Sequence, residues 1–547
     1  MRKLLAFTTA LAIGLTACAG PSGVSEDRTD GNTGSTIAET AGISGEITVY
    51  TFDSMMTGPF LEEAAQMFML HHPNTEVNVS SFSSMPEIRR SEGAGGTSVM
   101  IATQGGDTSQ ERRDYINMVN TELMSGRGPD ILAFDVLPFH EYARTGQLVN
   151  LREFMNADAD FNINDYRVNI FDALTTDQGQ FVFPIDYAFR YIAYDRSLFS
   201  DDQLARLEAG GTFSFDRMIE IGQMSDIEEP LFGMNIGPRP GLFQEVFSQN
   251  YSRFVDIHNR QANFTDGAFV DLLNQLIDLE HNGYVPTRAD ALDPDALMRS
   301  HDIMQQMMSD RFAFKPRPSM MLINEVQRRE GRQGAMMFGG GGAMGNPEDD
   351  EVAGIMGNDQ GEIPFTIGQG FGINANSENQ AAAWEFIKFL SNYAVRHSMR
   401  MAGLPTHIEA FEERAELSMT GALFASGVTG GAVVRSGDGG EPGGSGGAVV
   451  RSADTEAPDG DNEDVINQDA QNIDFQVVPL DEEGRAILQE YITLVEYFTN
   501  QLNTFFMTDA IIEDIVLTEV REFFDGSRSA EDVAQTLQSR INLFLNE

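Results

Sequence analysis

The chain has a single cysteine, Cys18, in 547 residues. It can form no intrachain disulfide, and no second thiol remains for catalysis or metal binding. Lysine is almost as scarce, occurring only at Lys3, Lys315 and Lys388, and there is one tryptophan, Trp384. No physical reason for the preference for arginine over lysine is evident. Positive charge is short overall, with 36 Lys and Arg against 83 Asp and Glu and a net charge of −47. Nucleic acid would be repelled, and no basic stripe offsets that. An anionic lipid surface would repel the chain too. After residue 17, no run is apolar enough to cross a bilayer, which takes about twenty residues. Catalytic signatures are also missing. The one Gly-x-Ser-x-Gly match, Gly443 to Gly447, lies in a glycine-rich run and marks no nucleophilic serine. There is no Gly-Lys-Ser/Thr after glycines 339–342, and no His-Glu-x-x-His frame around His71-His72. Asp349-Asp350-Glu351 lacks the alternating spacing of a calcium loop. Acids are abundant, but local context marks no pair for glycoside hydrolysis. No catalytic residue, metal or cofactor is expected.

The N-terminus does carry a pattern. Arg2 and Lys3 precede a short apolar stretch, residues 4–15, which Leu15-Thr16-Ala17-Cys18 closes. That is the layout of a secretory signal. The last four residues resemble a bacterial lipobox, which implies cleavage before Cys18 and acylation of its thiol by a palmitate-type chain. An ordinary signal with a chance cysteine is the competing reading. Residues 18–45 are rich in Gly, Ser, Thr and acids and read as a flexible tether. About 26 such residues span roughly 28 Å r.m.s..

Order is expected from residue 46. Ile47-Thr48-Val49-Tyr50 reads as a strand. Phe60, Leu61, Ala64 and Phe68 recur at helical spacing, and residues 77–82 read as the next strand. This strand–helix–strand start predicts an α/β domain. A second unit follows, with a helix near 115–124 and the strand Ile131-Leu132-Ala133-Phe134. Glycines across 93–106 read as a solvent loop between the two. Further helices are expected near 215–224, 242–254, 269–282 and 380–391. Gly-Gly-Ala-Val-Val-Arg-Ser occurs at 430–436 and again at 446–452. Two short copies embedded in glycine cannot build a core, so 426–470 reads as a disordered surface insertion. Apolar stripes at 487–498, 511–524 and 533–545 predict three C-terminal helices, the last entered through Ser529 with Asp532 three residues on.

From about Ile47 onward the chain resembles the family 1 extracellular solute-binding proteins, the maltose-binding-protein-like group. The resemblance rests on Gly128-Pro129-Asp130-Ile131-Leu132 and Gly146-Gln147-Leu148-Val149-Asn150-Leu151. It continues with Gly179 to Pro184 and Tyr191-Ile192-Ala193-Tyr194-Asp195, where Asp195 replaces the usual asparagine. The strongest stretch runs from Phe371-Gly372-Ile373-Asn374 through Ala383-Trp384-Glu385-Phe386-Ile387. The resemblance implies a two-lobed periplasmic-binding-protein type II fold, α/β, with hinge crossings and a solute between the lobes. It divides the chain into a signal at 1–17, lobe 1 at 46–184 and lobe 2 at 185–311. A lobe 1 return at 312–364, a lobe 2 return at 365–425 and C-terminal lobe 2 helices at 471–547 complete it. Crossings are expected near 186–194, 310–319 and 365–373.

The implied function is the substrate-binding lipoprotein of an ABC importer, a monomer held at the outer face of the membrane. It would deliver a small solute, a sugar being favoured, to permease subunits. A cell-surface glycan hydrolase and a ligand receptor for a sensor kinase are the alternatives. Sugars present flat apolar faces and a rim of hydroxyls, so their sites combine aromatic platforms with polar side chains. In the resemblance, loops facing the cleft supply Phe52, Asp53, Asp135, Asp186, Tyr187, Arg190, Phe243, Gln244, Phe338 and Phe371. Core packing competes with ligand stacking for each aromatic, and Asp186 could simply pair with Arg190. Sugar-binding members often use tryptophan platforms. Here Trp384 lies in a helix read as structural, so a non-sugar solute is a further alternative.

Overall fold

The computed structural model describes residues 44–53, 55–83, 87–92, 98–103, 108–225, 227, 229–232, 239–257, 259–285, 312–329, 350–398, 400–401, 403–419, 479–506 and 509–546. Cys18, the tether, Phe338 and the insertion at 426–470 lie outside the described residues.

The chain opens with parallel strands Gly45–Thr51 and Thr75–Ser81, joined by the helix Thr57–His71. Ile47, Val49 and Thr51 alternate inward, as a period of two requires. The helix buries Phe60, Leu61, Ala64, Ala65 and Phe68 against them. The first sheet has the order Thr75–Ser81, Gly45–Thr51, Ile131–Ala133, Gly370–Ile373, Phe183–Pro184. On one face, Ile47, Val49, Ile131, Ala133, Phe371 and Ile373 meet the opening helix and the helix Gln380–Phe389. On the other, Leu132 and Phe134 meet Tyr115, Val119 and Leu123 of the helix Thr108–Met124. Trp384 packs into the first of these cores, where its indole N–H donates to Asp158 Oδ2 at 2.9 Å. It is therefore structural, as expected.

The second sheet is built on one strand, Asp186–Asp195, which leaves the first sheet directly after Phe183–Pro184. Strands Phe314–Pro318, Asp350–Met356, Pro364–Thr366 and Leu404–Pro405 all pair with it. Both of its faces are covered, which explains its near-continuous apolar sequence. Tyr187, Phe189, Tyr191 and Ala193 enter one core; Ile192 and Tyr194 enter another. The three tyrosine hydroxyls find partners, as buried polar groups must. They reach Thr499 Oγ1 at 2.7 Å, Glu325 Oε1 at 3.0 Å and Glu351 Oε2 at 2.7 Å. The core with Ile192 and Tyr194 is closed by the helices Phe215–Gly222, Arg239–Gln249, Ala268–His281, Ala510–Phe524 and Ala530–Asn546. Ser529 Oγ accepts the Asp532 N–H at 3.1 Å, so the expected cap forms.

The two sheets with their cores make the two lobes, and crossings at 184–186 and 366–370 connect them. Three expectations are corrected here. Residues 312–364 belong with the second sheet, because Phe314–Pro318 and Asp350–Met356 pair with the crossing strand. The stretch near 310–319 is thus a strand of that sheet and not a crossing. Within 365–425, Gly370–Ile373 and the helix Gln380–Phe389 belong to the first lobe. Within 471–547, the helix Glu482–Thr499 packs with Leu322–Arg329 and Ile408–Met419 in the core on the Tyr187 and Tyr191 face of the second sheet, and the last two helices pack in the core on its Ile192 and Tyr194 face. Chain order fixes an element's type but not its pairing partner, which is a non-local contact. Part of 93–106, read as a solvent loop, also differs: Ser98–Thr103 pairs antiparallel with Glu87–Glu92.

Candidate functional site

The parallel strands Gly45–Thr51 and Ile131–Ala133 end side by side, and the chain turns there through Asp53 and Asp135. In open α/β sheets, ligands collect beyond such carboxyl ends. Asp135 Oδ2 accepts Thr51 Oγ1 at 2.7 Å, Phe52 N at 2.9 Å and Asp53 N at 2.7 Å. Its Oδ1 accepts Val136 N at 3.0 Å. Burial pushes this carboxyl above the usual range, and those hydrogen bonds pull it back. Asp53 accepts Met55 N, Met56 N and Thr57 N at 2.8, 3.1 and 2.9 Å, capping the opening helix. Both acids thus hold backbone and fix the loop that forms the rim.

Beyond this rim lies a cavity of ≈840 Å³ with walls from both lobes. The first-lobe wall is the short helix Phe139–Arg144 and one face of Thr108–Met124, with Arg112, Ile116, Asn117 and Asn120 at helical spacing. The second-lobe wall carries Arg260, Phe505, Phe506, Asp509, Glu513 and Phe544, and the crossing supplies Thr366 and Ile367. Aromatic rings line both sides. Phe134 and Phe139 stand edge to face at 5.7 Å, Phe139 meets Phe505 at 6.1 Å, and Phe505 meets Phe365 at 5.8 Å. Such faces suit the apolar side of a flat polar ring.

The polar groups are mostly committed. Tyr142 donates to Asn120 Oδ1 at 2.7 Å, and Arg144 binds Glu141 at 2.5 Å. Asp509 accepts Ile511 N and Ile512 N at 2.8 and 3.3 Å, and Glu513 bonds Gln244. Burial raises the carboxyls of Asp509 and Glu513 and lowers the His140 imidazole to about 4, so His140 is neutral at pH 7. Arg112 Nε, His140 Nδ1 and Arg260 Nε are buried without a hydrogen-bond partner among the described residues. Among those residues no group of His, Cys, Asp and Glu is placed to hold a metal ion. A separate cavity of ≈340 Å³ inside the second lobe is lined by Asp216, Asp359, Arg253 and Gln275.

Among the described candidates, Asp135 is the one that lines the large cavity. Phe52 is buried against Tyr115, with centroids 5.6 Å apart. Asp186 is wholly buried at the crossing, where it accepts Gly368 N at 2.9 Å, Gln369 N at 2.8 Å and Gly403 N at 3.1 Å. It does not pair with Arg190, which instead meets Glu245 at 3.1 Å. Glycine is required beside it: a Cβ on Gly403 would stand 2.7 Å from Asp186 Oδ2. Tyr187 and Phe371 are core residues. Phe243 stacks on Phe247 in the second-lobe core at 5.3 Å. Gln244 reaches the site only through Glu513. Phe139, His140, Tyr142, Phe505 and Phe506 line the cavity although the sequence did not single them out. The only local signal was the adjacent pair Phe505-Phe506, lying between two helical stripes without belonging to either.

The model of the bacterial extracellular solute-binding protein family matches residues 56–396. No curated protein matches the chain. Among solved structures, the chain is similar to a putative oligosaccharide periplasmic-binding protein of Synechococcus sp. MITs9220, at 14% identity and TM-score 0.49 over 91% of this chain and 99% of that one. It is similar to a family 1 extracellular solute-binding protein of Alicyclobacillus acidocaldarius, at 14% identity and TM-score 0.47 over 92% and 99%. It is also similar to the maltose/maltodextrin-binding domain MalE of Bdellovibrio bacteriovorus bound to maltotriose, at 12% identity and TM-score 0.45 over 92% and 100%.

Proposed function

The chain belongs to the bacterial extracellular solute-binding protein family, and on that premise we propose that its solute is a saccharide held in the ≈840 Å³ cavity between the lobes. The observation that carries the reading is the lining of that cavity: aromatic faces from both lobes alternating with amides, arginines and carboxylates. Closure of the lobes about the crossings is a hinge motion, and the closed form is what an ABC permease would take up. We propose further that Cys18 is acylated, that the body stays at the outer face of the membrane on the 18–45 tether, and that it works as a monomer without turning its ligand over.

Native mass spectrometry of the purified body, followed by calorimetry across sugars, peptides and polyamines, tests this reading. A co-purified or titrated saccharide supports it, and exclusive binding of a peptide or polyamine refutes the saccharide. Oligosaccharide turnover that disappears on changing a single carboxylate would make the protein a hydrolase.

A further inference from the structure

The saccharide reading is the premise here, and the question is which kind of saccharide the cavity accepts. Its hydrogen-bonding capacity is spent unevenly. Asp135 and Asp509 accept backbone N–H groups, Glu141 holds Arg144, and Glu513 is bonded to Gln244. The cavity-lining side-chain atoms left buried and unpartnered among the described residues are all nitrogens: Arg112 Nε, His140 Nδ1 and Arg260 Nε. Arg112 stands on the first-lobe helix Thr108–Met124. Arg260 precedes the second-lobe strand Gln261–Ala262 and is held at φ 56, a left-handed conformation rare outside glycine. One guanidinium therefore faces the cavity from each lobe. Glu513 lies close enough to feel the Arg112 charge, but its carboxyl is already engaged by Gln244.

A buried guanidinium N–H without an acceptor is costly, and a ligand oxygen would relieve it. A guanidinium bonds a hydroxyl or an anion, but only the anion adds charge–charge attraction and can take the two-pronged geometry, so arginines from both lobes favour an anion over a hydroxyl. We propose that the cavity takes an anionic saccharide, with its carboxylate or sulfate oxygens held between Arg112 and Arg260 as the lobes close. Both arginines are then specificity-determining residues.

Isothermal titration of the full chain with trigalacturonic acid, galactose 6-sulfate and neutral maltotriose tests this. One of the anionic probes binds at least about tenfold tighter than maltotriose, and Arg112→Gln and Arg260→Gln each weaken it about tenfold while moving maltotriose less than about threefold. Preference for trigalacturonic acid assigns the anion to a carboxylate; preference for galactose 6-sulfate assigns it to a sulfate. Maltotriose binding tighter than both, or anionic binding unchanged in both variants, overturns the proposal and leaves the saccharide reading standing. Failure of all three probes to bind removes the saccharide reading as well. If a variant does not fold, the wild-type ranking of the three probes decides alone.

Discussion

Replacing Asp186 should loosen the crossing between the lobes more than any surface change, and the cost can be worked from its contacts. One carboxylate holds three backbone N–H groups, two from the second crossing at Gly368 and Gln369 and one from Gly403, with no access to solvent. A buried donor stripped of its acceptor costs about 1–3 kcal/mol. Asp186→Ala orphans three donors but also removes a buried charge, so the expected net loss is about 3–5 kcal/mol. Asp186→Asn keeps one acceptor oxygen but turns an amide N–H₂ toward a donor, for about 1–3 kcal/mol. Urea denaturation followed by far-UV circular dichroism reads both. The pH dependence is a second signature. Burial pushes Asp186 up to about 6 from 3.8, despite the amides and the Arg414 cation pulling it down. Between those values the folded state holds a proton that the unfolded state has released. The contribution of Asp186 is therefore full below pH 3.8 and lost as pH rises through about 6. At about 1.4 kcal/mol per pH unit, this is roughly 3 kcal/mol across the window. The difference between wild type and Asp186→Asn should show that slope. An alanine variant within about 1 kcal/mol of wild type at pH 7, or a difference curve flat from pH 4 to 6, would refute the reasoning.

Other changes separate the roles of single residues. Cys18→Ala should release the protein from the membrane fraction and abolish palmitate labelling while calorimetry finds ligand affinity intact; affinity lost with the anchor counts against the tether reading. Phe505→Ala should cost about tenfold in ligand affinity through the lost aromatic face while thermal melting moves by only a few degrees. Equal affinity would exclude Phe505 from the site. Trp384→Phe forfeits the indole bond to Asp158 and should cost about 1–2 kcal/mol in denaturation with no change in binding. A binding defect in that variant would return Trp384 to the ligand.

Much of the fold was legible because local chemistry dictates it. The alternation at Ile47 and Val49, the stripe from Phe60 to Phe68 and the run of buried residues through Tyr187 to Tyr194 appear as the elements their periods require. Lobe membership between 312 and 425 was not legible, because pairing with Asp186–Asp195 is decided by a strand far away in sequence. The site was the least legible part. Its aromatic contact joins Phe139 to Phe505 across most of the chain. The acids that looked like ligand groups, Asp53, Asp135 and Asp186, are taken up by backbone amides instead. A carboxylate at a strand end satisfies a turn as readily as it binds a solute, and only the donors around it tell the two apart.

The crossing strand Asp186–Asp195 lends one face to each of two apolar cores. One of those cores runs on into the first lobe through Tyr115, Leu132 and Phe134, so a severed half would bare tyrosine and phenylalanine side chains and be a sticky fragment, not a miniature protein. The two halves should consequently melt as a single cooperative unit, with one calorimetric peak whose van't Hoff and calorimetric enthalpies agree. The strand that joins the lobes thus makes the whole body stand or fall together.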